Sequence, residues 1–199
     1  MERQARNVLP FKLQASSELL TANAGLAVFG EFVRAVGVHR WVEQSLPVPG
    51  SAAGYFPQNF VTPLILMLCG GGRSLEDLRQ IYNDQGLRHL LKLDEAPSTD
   101  AVGDWLRRMG AGCGLTGLGE VNRRIVAMRL RMMDTTQHTL DIDASQIIAQ
   151  KETAKYTYKG EQGYMPMVGH LAQAGVVLHE QFREGNEAPA SANLEFIED

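Results

Sequence analysis

HTLDIDASQII, residues 138–148, is the stretch whose periodicity decides how the chain is read. Leu140, Ile142 and Ala144 fall on one side of an extended strand, and Asp141, Asp143 and Ser145 on the other. A polar, glycine-containing loop, residues 154–163 (AKYTYKGEQG), leads to a second extended run, residues 164–173 (YMPMVGHLAQ). Ala174-Gly175 then offers a tight turn into a third, residues 176–186 (VVLHEQFREGN). Connections this short leave no room for a crossover helix, so the three strands are expected as antiparallel neighbours. The last residues, 191–199 (SANLEFIED), read as the start of a helix.

Upstream of residue 134 the period changes to that of helices. Leu26, Phe29, Val33, Val36 and Val42 recur at helical intervals through residues 24–46, which end at Pro47. A loop rich in Pro, Gly, Ser and Ala follows, then a buried helix from Phe60 stopped by Gly70-Gly71-Gly72. Ser74, with Asp77 three residues on, caps a segment whose Leu75, Leu78, Ile81 and Tyr82 share one face. Ser98 or Thr99 caps another, carrying Val102, Trp105, Leu106 and Met109. A glycine-rich linker at residues 110–119 precedes a last, arginine-bearing helix. The expected fold class is therefore α+β, with a helical domain over residues 1–134 and a strand-built one over residues 135–199.

Composition narrows the function. The 199 residues carry a net charge of −4, with 44% hydrophobic and 21% charged residues, ordinary for a globular protein. The first residues, MERQARNVLPFKLQ, lack the apolar region of a signal peptide, and the longest apolar run, residues 60–69, is too short to span a bilayer. No membrane partner is therefore expected, and because Cys69 and Cys113 have neither a disulfide-framework nor a metal-ligand spacing, the expected location is the reducing cytoplasm. Residues 1–134 hold 15 Lys and Arg against 13 acids; residues 135–199 hold 4 against 10. Positive charge for phosphate would come from Arg107, Arg108, Arg123, Arg124, Arg129 and Arg131; the alternative is that these are solvated helix faces.

Asp141 and Asp143 are the candidate site. Two carboxylates on one side of a strand are costly to bury alone, so they point to a metal site or acid–base chemistry, unless the strand is an edge whose acidic face meets water. Three chemistries suit such a pair. One is two-metal phosphoryl transfer, with ions about 3.5–4 Å apart. The others are an aspartyl-phosphate phosphatase of the haloacid-dehalogenase type and a retaining glycosidase. The phosphatase needs a parallel, doubly wound sheet, which a hairpin after the first strand disfavours.

TLDIDASQI, then YKGEQGYMPMVGHL, then FREGN resembles the opening of the catalytic domain of bacterial insertion-sequence DDE transposases. Residues 70–84 (GGGRSLEDLRQIYND) and 97–110 (PSTDAVGDWLRRMG) resemble the helical N-terminal region of the same group, so the likeness runs from about Phe60 to the end. It implies an RNase H-like core of which only the first three antiparallel strands are present, and two-metal cutting and joining of DNA at the terminal repeats.

Residue by residue, Asp143 matches the first catalytic aspartate and magnesium (or Mn²⁺) ligand, with Asp141 as reserve or supporting carboxylate. Arg183, Gly185 and Asn186 match an element ending the third strand, Gly185 as a turn and Asn186 as a cap. Lys159 and Tyr164 are candidates for DNA phosphate, or else a solvated lysine and a core tyrosine. His138, His170 and His179 are expected to be structural, and Met128, Met132, Met133, Met165 and Met167 core fillers. The family's second aspartate and closing glutamate are expected beyond Asp199, which implies a truncated transposase, catalytically incomplete alone. A DNA-binding or dimerising regulator, able to associate with itself or with the full-length enzyme, is the alternative, and the phosphatase a third.

Overall fold

The computed structural model describes residue 15, residues 17–51 and residues 54–198. Residues 1–14, read above for a leader, Ser16, Ala52 and Ala53 of the Pro/Gly-rich loop, and Asp199 lie outside it.

Residues 24–46 form two helices rather than one, α1 (Ala24–Val36) and α2 (Val38–Ser45). Gly37 separates them at φ +92°, a left-handed conformation that costs glycine nothing, and its N–H donates to the Arg34 carbonyl at 3.0 Å. The bend carries Val38, Val42 and Leu46 into the core. α3 (Pro57–Cys69) begins before Phe60, with Pro57 in the first turn, where a missing N–H leaves nothing unpaired. Phe60, Leu66 and Met67 are buried, whereas Leu68 and Cys69 face out. The helix stops at the glycine run as expected.

Ser74 and Asp77 form a reciprocal capping box opening one 3₁₀ turn (Leu75–Asp77) and α4 (Leu78–Asn83). Backbone N–H groups of Arg73 and Ser74 and the Ser74 hydroxyl hold the Asp77 carboxyl below its usual range. The next helix, α5 (Gln85–Leu91), was not legible in sequence, because it has seven residues and Gly86 in its first turn. Asp84 caps it through the Leu87 N–H at 2.8 Å and also accepts from Thr21 at 2.6 Å and Asn23 at 2.9 Å. One carboxylate thus pins the chain before α1 to the α4–α5 corner.

Ser98 caps α6 (Thr99–Ala111), accepting from the Ala101 N–H at 3.2 Å. The expected linker at residues 110–119 is mostly helix, since α7 runs from Gly114 to Arg131. Its glycines serve close approach: a Cβ on Gly117 would collide with the Ser45 carbonyl oxygen, so the missing side chain lets α7 lie directly on α2. The core joins Phe60 and Trp105, stacked at 4.8 Å and 3°, to Leu66, Leu78, Leu87 and Val102.

The strands are β1 (Leu140–Ala144), β2 (Ile147–Ile148), β3 (Lys155–Tyr156), β4 (Gln162–Tyr164), β5 (Met167–Leu171) and β6 (Val176–Gln181). They form two antiparallel sheets, ordered β1-β5-β6 and β2-β4-β3. Ala144 pairs with Met167 and Ile147 with Tyr164, three residues further along each strand, so one register runs through both sheets. The break falls at Pro166: its carbonyl accepts from the Ser145 N–H at 2.9 Å, but proline has no N–H to return. The loop expected at residues 154–163 contains β3 and the start of β4. Gly175, at φ +66°, makes the turn between β5 and β6, and α8 (Asn193–Glu198) closes the described chain.

α7 joins the two regions. Val126 packs with Leu171 and Ala174, Arg129 donates to the Ala174 carbonyl at 3.1 Å, and Asn122 donates to the carbonyls of Val177 and Leu178 at 3.1 and 3.2 Å. The architecture is α+β, mixed helix and small antiparallel sheets. Among the described residues no helix is long and apolar enough to cross a membrane.

Candidate functional site

β1 places Asp141 and Asp143 on the same side, two residues apart, which on a strand is about 7 Å between Cα atoms. Both are exposed, while Ile142 and Ala144 between and after them are half-buried. Neither carboxylate has a hydrogen-bond or ion-pair partner among the described residues. Facing water, the pair carries no burial penalty, so the fold itself does not require a cation there.

The ladder defines what else shares that side. Asp141 lies directly opposite His170, and Asp143 opposite Val168, which in turn faces Glu180 on β6. Directly opposed residues share a face, so Asp141, Asp143, His170 and Glu180 all belong to it. Glu180 stands two strand spacings from Asp143, about 10 Å. Among the described residues no group of three or more His, Cys, Asp or Glu is placed to hold a metal. Two carboxylates suit one magnesium ion that also takes water and phosphate oxygens. They are too few for the two-ion arrangement, so the donor set fits part of such a centre and not the whole.

Arg183, expected to end the third strand, is a structural tie. It is 2% exposed, and its guanidinium donates to Gln181 at 2.8 Å, the Ser191 carbonyl at 2.6 Å and the Ala192 carbonyl at 3.3 Å. It thereby fixes the approach to α8. Gly185 does sit in a turn, and its need for glycine is spatial. Glu184 bridges to Tyr164 on the side of β4 that β3 also occupies, so the third strand runs head-on into β3. A Cβ on Gly185 would strike the carbonyl oxygens of Gly163 and Lys155. Asn186 is exposed and caps nothing: the Glu184 N–H is taken by Glu187 at 3.1 Å.

Four of the six candidate arginines are engaged. Arg107 pairs with Asp104, Arg123 and Arg124 with Glu120 at 3.0 Å each, and Arg129 ties α7 to the sheet. Arg108 and Arg131 are exposed and have no such partner among the described residues. The Arg107 and Arg123 pairs lie on the surface, where such pairs are weak and can yield to phosphate. Met165 and Met167 are core residues as expected, but Met132 is 73% exposed, because it lies just past the end of α7. His179 packs on Phe196 with ring centroids 4.9 Å apart, and its Nε2 is buried without a hydrogen-bond partner among the described residues.

Sequence reading missed a cavity of about 240 Å³ walled by α1, α3 and the end of α5. His39 and Gln58 line it, and His39 Nδ1 and Gln58 Oε1 are buried with no hydrogen-bond partner among the described residues. Nothing in the one-dimensional pattern marks such a place, since its walls come from three separate segments spread between Gly30 and Glu95. No protein-family profile, no curated protein and no solved structure matches this chain.

Proposed function

We propose that this chain carries the DNA-end-binding region and the opening of the catalytic sheet of a DDE-type insertion-sequence transposase. The observation that carries the reading is the exposed Asp141–Asp143 pair on the leading strand of an antiparallel β1-β5-β6 ladder, followed by a helix. In this reading Asp143, with Asp141 beside it, is one arm of a magnesium site on an RNase H-like core. Magnesium, when bound, neutralises phosphate charge and activates the attacking oxygen. The chain's own part is to present carboxylate oxygens from a rigid strand and to hold DNA through the helical region.

By this account the polypeptide alone neither cuts nor joins DNA, because a single strand-borne pair supplies too few ligands for two ions. A second reading, a DNA-binding or dimerising regulator, is favoured by one observation: the helical region has a closed core of its own around Phe60 and Trp105. The phosphatase is disfavoured by the antiparallel pairing of β1 with β5.

The test is a band-shift titration on duplex DNA carrying the inverted repeats that flank the gene, at rising salt, with a magnesium-dependent nicking assay alongside. The expected result is binding that weakens steeply with salt, and no nicking. Absence of any binding at low salt overturns the reading. Nicking that is lost in Asp143→Asn would show instead that this polypeptide is catalytically complete.

A further inference from the structure

The acidic second half of the chain contains only three lysines, Lys151, Lys155 and Lys159, and all lie in and beside the β3–β4 hairpin. None of them forms an ion pair among the described residues. Against them, within residues 151–161, stand Glu152 and Glu161, leaving a net +1 in a region, residues 135–199, whose net is −6, and outside that stretch Glu184 lies opposite Tyr164. The Glu161 carboxylate is engaged by its own chain, accepting from Gln146 at 3.2 Å.

The same hairpin exposes rings. Tyr156 lies opposite Gln162, Ile147 lies opposite Tyr164, and Gln162 and Tyr164 alternate along β4, so all four side chains share one face of the small sheet. Phe182 joins them, its ring 4.9 Å from that of Tyr164. Tyr156 is 67% exposed, Phe182 63% and Ile147 52%. Tyr156 and Tyr164 are diagonal neighbours, about 8 Å apart at the backbone. At the hairpin tip Tyr158, 65% exposed, has the Lys159 ammonium 5.6 Å from its ring centre. Open aromatic faces on a sheet, with the Lys159 ammonium at the hairpin tip, match what stacks and neutralises single-stranded nucleic acid.

We propose that the Tyr156–Tyr164–Phe182 face, with Lys159 at the hairpin tip beside it, is a stacking platform for unpaired DNA bases, such as a frayed or single-stranded end. It rests on the reading above that DNA is the partner, and it adds a second, chemically distinct contact. Bases stack on the rings, and Lys159 takes an adjoining phosphate.

The test is fluorescence anisotropy of a labelled single-stranded oligothymidylate and of a labelled duplex, for the wild-type chain and for Tyr156→Ala, Phe182→Ala, Tyr156→Trp and Lys159→Gln, each checked for folding by circular dichroism. The expected result is that either alanine change weakens single-strand binding roughly five- to a hundred-fold, while duplex binding through the helical region is retained. Tyr156→Trp keeps single-strand affinity, and Lys159→Gln lowers the salt slope by about one. Duplex binding with no single-strand binding, or with single-strand binding indifferent to both alanine changes, overturns the platform and leaves the function above standing. Concentration-dependent self-association that Tyr156→Ala abolishes, with DNA binding untouched, assigns the face to a second copy and also overturns it. Failure to bind either DNA at low salt removes both proposals.

Discussion

Phe196 on α8 packs over Gly169 on β5: a Cβ built on Gly169 would stand 3.1 Å from Phe196 Cε1 and 3.3 Å from Leu140 Cδ1. The relationship settles which face of the β1-β5-β6 sheet is covered. Gly169 lies opposite Ile142, so α8 sits on the Leu140–Ile142 side and the Asp141–Asp143 side is left to solvent. α7 covers the far end of the same side through Val126 and Leu171.

Gly169→Val is therefore expected to wedge α8 off the sheet. Overpacking of this kind costs about 1–3 kcal/mol. Urea denaturation measures the loss, and amide exchange should show it concentrated in residues 193–198. Exchange that is unchanged in α8 would mean that the helix is not held by this contact.

Arg183→Ala should be among the more damaging single changes in the second half, because it strips donors from the carbonyls of Ser191 and Ala192. Hydrogen bonds from a charged group are worth about 1.5–3 kcal/mol. Arg183→Lys should recover only part of this, since an ammonium cannot reproduce the fork that reaches Gln181 and both carbonyls. Equal stability of the lysine variant and the wild type in thermal melts would contradict that geometry.

Asp84 gives a pH dependence whose sign can be stated. Burial pushes its carboxyl up, but hydrogen bonds from Thr21, the Leu87 N–H, Asn23 and the Gly86 N–H outweigh this and hold it below its usual value. A depressed folded-state pKa adds stability that is present above about pH 4 and disappears as pH falls through the folded value. Asp84→Ala should cost about 1 kcal/mol near neutrality, as lost caps do. The gap to wild type should narrow below about pH 4, and a gap of constant size across that range would be inconsistent with the assignment.

Asp141→Asn and Asp143→Asn, by contrast, should leave the fold unaffected. Exposed residues without partners usually change stability by less than about 0.5 kcal/mol. Calorimetric melts of the two variants check this. A drop well beyond that figure would show that the carboxylates hold the sheet together, rather than waiting for something outside it.

Much of the framework was legible because it depends on local repetition and punctuation. The Ser74–Asp77 and Ser98 caps, the glycine stop after Cys69, the Gly175 turn and the alternation from Leu140 to Ala144 all mark themselves within a few residues. The errors share a cause. Gly37 looked like an ordinary residue inside a helical pattern and is a break. Gly114, Gly117 and Gly119 looked like a linker and are helical. A glycine reads the same in sequence whether it is needed for a left-handed φ or for a close approach, and only the neighbouring element tells which.

The candidate site divides in the same way. That Asp141 and Asp143 share one side of a strand follows from the two-residue period of extended backbone, so the amino-acid sequence determined it alone. That this side faces water, that His170 and Glu180 share it, and that Tyr156, Tyr164 and Phe182 meet on one face were decided by tertiary structure. Strand pairing joins residues up to 31 positions apart, as Leu140 and Leu171 are, and its register follows from where the turns, Pro166 and the Gly185 collision allow the ladder to run.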